Sequence, residues 1–87
     1  MSNSAEEIER GRAIAERAAR ELCQAQGRKQ PRFEWGAVTA TPQQLTILIE
    51  NLDPIPIQFG ASDLTAQGGI GAARTARRAL QNALRAL

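Results

Sequence analysis

Apolar residues recur at every third or fourth position from Ile8 to Ala25, at alternate positions through much of 33–52, and again at three-to-four spacing from Ala73 to Leu87. The first of these stretches predicts a helix over residues 4–27. Ser4 with Glu7 forms a capping-box pattern, and Glu6, Glu7 and Glu9 suit the positive end of the helix dipole. The inward stripe is Ile8, Ala15, Ala18, Ala19, Leu22 and Ala25, with Gly27 as the natural stop. Charge pairs four apart, Glu6–Arg10, Arg12–Glu16, Glu16–Arg20 and Arg17–Glu21, support the solvent side.

Pro31 prevents the helix from continuing, and beyond it the period changes from 3.6 to 2. Phe33–Ala40 and Leu45–Leu52 read as two strands of a hairpin joined by Thr41-Pro42-Gln43-Gln44. Asp53-Pro54-Ile55-Pro56 reads as a type I turn, and 57–61 as a short third strand with Pro56 marking an edge. Residues 62–71 read as a loop. A second helix from about Ala72 to Leu87 carries Ala73, Ala76, Leu80, Ala83, Leu84 and Leu87 inward and Arg74, Arg78, Gln81 and Arg85 outward. The order predicts a single α+β domain over residues 1–87. It would be a two-layer sandwich of a three-stranded antiparallel meander sheet with both helices on one face.

The strands carry more apolar surface than one covered face needs. With a four-residue hairpin loop, residues whose numbers sum to 85 face one another. Val38, Ala40, Leu45, Ile47 and Ile49 then share one face, and Phe33, Trp35, Ala37, Leu48 and Leu52 the other. If the helices cover the first face, Phe33, Trp35, Leu48 and Leu52 form an exposed apolar patch of the kind that marks interfaces. A register changed by one residue would instead send Phe33 and Trp35 into the core while leaving Leu48 and Leu52 outside.

Alanine supplies 16 of the apolar residues, so a chain of 87 residues has a thin core and gains from self-association or a partner. The net charge of +2 is unevenly placed: residues 1–27 carry −1, residues 28–63 carry −1, and residues 64–87 carry +4 from Arg74, Arg77, Arg78 and Arg85. One cysteine, Cys23, allows no internal disulfide, no apolar stretch reaches membrane-spanning length, and the first residues do not read as a signal segment. Together these predict a cytoplasmic protein with no membrane association.

There is no histidine, so a Cys–His nucleophile is impossible and Cys23 reads as a structural thiol beside the inward stripe. Glu34 and Glu50 fall on opposite faces, Asp53 belongs to a turn, and no acids have the spacing of a metal loop. The expectation is a non-enzyme with no catalytic residues, metal or cofactor. Gly68-Gly69-Ile70-Gly71 at the start of the second helix, with Arg74 in its first turn, suits an anion at Gly69 and Gly71, or a plain flexible connection. The α-β-β-β-α order with arginines early in the last helix resembles the double-stranded-RNA-binding domain. Ala73-Arg74-Thr75-Ala76-Arg77 loosely echoes that family's Lys-Lys-x-Ala-Lys, whereas Thr41-Pro42-Gln43-Gln44 lacks its Gly-Pro-x-His. The resemblance implies phosphate contacts at that helix end without a groove-spanning loop.

The function expected from the sequence is a non-enzymatic protein-interaction module, working as a homo-oligomer or as a small subunit of a larger assembly. It would bind through Phe33, Trp35, Leu48 and Leu52. The rival is a nucleic-acid binder using the basic connector Arg28, Lys29 and Arg32 together with Arg74, Arg77 and Arg78.

Overall fold

A computed structural model describes residues 4–37, 42–60, 63–64 and 69–86. Helix α1 spans Ser4–Ala25, strands β1, β2 and β3 span Arg32–Trp35, Gln43–Leu48 and Ile55–Phe59, and helix α2 spans Ile70–Arg85. The strands form one antiparallel sheet in the order β1-β2-β3. Both helices bury their apolar stripes with one sheet face, giving the expected two-layer α-β-β-β-α sandwich. The Ser4 side chain, Val38, Ala40, Gly68 and Leu87, each given a part above, lie outside the described residues.

Helix α1 stops as its sequence dictates. Gly27 adopts φ 69°, its amide donates to the Gln24 carbonyl at 3.1 Å, and the Arg28 amide donates to the Cys23 carbonyl at 2.8 Å. This is the Schellman pattern, which satisfies two carbonyls left over at the helix end. The buried stripe is Ala15, Ala18, Ala19 and Cys23, with Ile8 and Leu22 partly buried. Ala25 is exposed, because the chain leaves the helix there. Cys23 lies fully inside the core rather than beside the stripe. On α2 the buried residues are Ala72, Ala76, Leu80 and Leu84, all four apart, and the expected Ala73 and Ala83 flank that line half-buried. Small residues on both helices let the backbones approach closely. Ile14 touches Gly69 and Glu21 pairs with Arg77, so α1 and α2 run in the same direction.

The sheet register differs from the one expected. Arg32 faces Leu48, Phe33 faces Ile47, Glu34 faces Thr46 and Trp35 faces Leu45, so paired numbers sum to 80. The ladder ends with the Gly36 amide donating to the Gln44 carbonyl at 2.9 Å. Residues 36–42 therefore connect the strands where a four-residue loop was expected, and β2 begins at Gln43, inside that supposed loop. An odd change in the sum moves all of β1 to the opposite face relative to β2. Phe33 and Trp35 consequently join Leu45, Ile47, Ile57 and Phe59 beneath the helices. Turning both rings outward would forfeit the apolar area they bury against this core, which favours this register.

Two further expectations are corrected. The turn after β2 is Ile49-Glu50-Asn51-Leu52, closed by the Leu52 amide donating to the Ile49 carbonyl at 3.0 Å, with Asn51 at φ 70°. Asn tolerates that left-handed position where a branched residue would not. Ile55 and Pro56 belong to β3, and Leu52 folds back onto the core rather than onto the outer sheet face. The supposed loop 62–71 contains helical residues Asp63 and Leu64, and Leu64 is fully buried. Helix α1 accommodates it through Gly11, where a Cβ atom would collide with the Leu64 carbonyl oxygen and lie 2.9 Å from its carbon.

Candidate functional site

The outer sheet face carries Arg32 and Glu34 on β1, Gln44, Thr46 and Leu48 on β2, and Pro56 and Gln58 on β3. Leu48 is its one large aliphatic side chain, and it is half-buried. The four residues expected to form an apolar patch are thus separated. Phe33 and Trp35 point to the helices, Leu52 packs on the core, and Leu48 alone stays outside.

The inward rings are clasped by one polar stripe of α1. Arg12, Glu16 and Arg20, spaced four apart, lie over β1. The Trp35 indole Nε1 donates to Glu16 Oε2 at 2.7 Å, the Arg12 guanidinium lies 4.7 Å from the indole centroid, and Arg20 lies 5.2 Å from the Phe33 ring. Arg20 also pairs with Glu16 at 3.3 Å. Arg12 donates through Nε (3.0 Å) and Nη2 to Gln43 Oε1, and through Nη2 to the Gly36 carbonyl at 3.0 Å. Gln43 is buried, and its amide nitrogen donates to the Ala37 carbonyl at 3.2 Å. Arg12 thus reaches across to β2 instead of serving its expected helix partner. These contacts tie α1 to β1 and β2.

Three further carboxylates have partners within the chain. Glu21 pairs with Arg17 at 3.5 Å and with Arg77 at 3.7 Å, and Glu50 pairs with Lys29 at 2.9 Å. Asp63 Oδ2 accepts from the Gly60 amide at 2.9 Å while the Asp63 amide donates to the Gly60 carbonyl at 3.0 Å. Among the described residues, no three His, Cys, Asp or Glu side chains are grouped to hold a metal ion. Burial pushes the Cys23 thiol above its ordinary pKa of 9.0, with Arg28 opposing the shift, so the thiol is held in its protonated form.

The basic residues singled out in the sequence divide between two concavities. Lys29 and Arg32 line a hollow of about 610 Å³ with Leu48, Ile49, Glu50 and Leu52, where the connector after α1 meets the turn after β2. Arg74, Arg77 and Arg78 line a groove of about 550 Å³ along α2 with Ile70, Ala73 and Gln81 of the same helix and Ile14 of α1. Ile70 is 55% exposed, the one exposed large apolar side chain among the described residues. In the sequence it sits within the glycine run Gly68-Gly69-Ile70-Gly71, where helical periodicity gives no signal of its exposure. Arg28 belongs to neither hollow; its Nε donates to Gln26 Oε1 at 3.3 Å.

Glycine at 69 has two internal reasons. The residue caps α2 at φ 101°, and a Cβ there would collide with Ile14 Cδ1. Glycine at 69 is thus accounted for by the backbone conformation of the helix start, with no ligand invoked. Among the described residues, no helix is long and apolar enough to cross a membrane. No protein-family model, curated protein or solved structure matches this chain.

Proposed function

We propose that this chain is a non-enzymatic protein-interaction module that docks through the groove along α2. The observation that carries the reading is Ile70. An isoleucine left 55% exposed beside Ile14 and Ala73, with three arginines lining the same hollow, sets an apolar contact next to positive charge, a pairing that suits a partner. The docking surface thus moves from the sheet, whose outer face is mostly polar, to the helical layer.

Ile70→Asp tests the reading, because an exposed first-turn position accepts an acid with a stability change within about 0.5 kcal/mol. Peptide-display selection on the wild-type chain should enrich ligands that lose binding to Ile70→Asp while binding Leu48→Asp normally. Enriched ligands lost only on Leu48→Asp would transfer the function to the hollow at the sheet end. A selection yielding no ligand sensitive to either change overturns the reading.

Exposure of Arg74, Arg77 and Arg78 on one helix favours the second reading, nucleic-acid binding. Retention of mixed RNA and DNA at low salt, falling steeply between about 50 and 200 mM, would support it. No retention at low salt eliminates it.

A further inference from the structure

The floor and rim of the groove along α2 also describe what fits it, and this step rests on the docking reading above. We infer that the occupant is an amphipathic helix of a partner protein with an apolar seam flanked by acidic side chains. The floor of Ile14, Ile70 and Ala73 calls for an apolar seam. The rim calls for negative charge: α2 contains no acid from Ile70 to Arg85, and among the described residues no carboxylate pairs with Arg74 or Arg78. Arg77 already shares Glu21 at 3.7 Å, so Arg74 and Arg78, one turn apart, are the two charges left to meet the occupant.

The shape suits a helix. The lining residues run along α2 from Ile70 to Gln81, which at 1.5 Å per residue is about 16 Å, or three helical turns. A helix laid along this face of α2 would meet it through residues three and four apart, with Ile14 of α1 at its side, the usual way an amphipathic helix docks. A phosphate backbone would leave Ile70 unused, and among the described residues no aromatic side chain lines the groove to stack on a base.

The probes are a fluorescein-labelled helical peptide of about sixteen residues, with leucine at i, i+3 and i+7 and glutamate on both flanks, and a sister with every glutamate replaced by lysine. Fluorescence anisotropy should show the acidic peptide binding at least about tenfold more tightly than the basic one. The double change Arg74→Glu with Arg78→Glu should reverse the order, and Ile70→Asp should weaken the acidic peptide. Equal affinity for the two peptides, or an order unchanged by the double reversal, overturns the inference. If display selection yields groove ligands sensitive to Ile70→Asp that carry no acid, the acidic partner is wrong while the docking reading stands. Duplex RNA or DNA that outcompetes the acidic peptide, responds to the double reversal and ignores Ile70→Asp overturns both.

Discussion

The indole nitrogen of Trp35 donates to a carboxylate oxygen of Glu16 at 2.7 Å, tying the edge strand β1 to the middle of α1. The bond lets a half-buried indole face the core without an unsatisfied donor, and the ring then meets Phe59 with centroids 5.6 Å apart. Glu16→Ala should cost about 1–2 kcal/mol, since it removes the partner of this donor. Trp35→Phe keeps the packing and should cost less than Trp35→Ala, for which about 2–3 kcal/mol is expected from a partly buried aromatic. Urea unfolding of the three variants checks the order, and a Trp35→Ala protein as stable as the wild type would place the ring outside the core.

Arg12 offers a contrast between charge and shape. Its guanidinium serves Gln43, the Gly36 carbonyl and the indole face together, which requires a planar fork. Arg12→Lys keeps the charge and should recover less than half of the roughly 1.5–3 kcal/mol lost in Arg12→Ala. Full recovery in chemical denaturation would mean that charge alone matters at this position.

Gly11 reverses the usual rule for glycine inside a helix. Alanine there would ordinarily gain about 1 kcal/mol. Here the added methyl meets Leu64 backbone, which cannot swing aside, so Gly11→Ala should lower the melting temperature. At Gly69 the φ of 101° is the main cost, with a smaller one from moving the terminal methyl of Ile14 aside. Gly69→Ala should therefore be destabilising, and Ile14→Ala placed in the same chain should relieve the steric part and leave the conformational part. Strict additivity of the two changes in a double-mutant cycle would contradict the contact.

Cys23 connects burial to pH. Its folded-state pKa lies above the ordinary 9.0, so the thiol contributes fully below that value and stability declines as pH rises through the folded pKa. Raising the pH from about 8 to 10.5 should destabilise the wild type more than Cys23→Ala, even though the variant starts lower through its cavity. Parallel pH curves would show that the thiol is not held protonated. Thiol reagents should likewise react with the native chain only as fast as it opens.

The two helices, their Ala-rich stripes, the stop at Gly27 and the α-β-β-β-α order were legible in the residues themselves. Each depends on a local period, 3.6 or 2, or on caps and turns within a few positions, so neighbouring residues decide it. Which face of β1 lies inward was not legible, because a strand's period is 2 and one residue of loop length reverses it. Connection through residues 36–42, rather than four residues, carried Phe33 and Trp35 from the expected docking surface into the clasp of Arg12, Glu16 and Arg20. Leu64 and Ile70 were missed for a related reason. One is buried because Gly11 leaves room for it, and the other is exposed because α2 begins at Ile70, before the expected Ala72. Local periodicity chose the elements of this protein; the packing of distant segments chose which apolar side chains they hide and which they leave in the groove along α2.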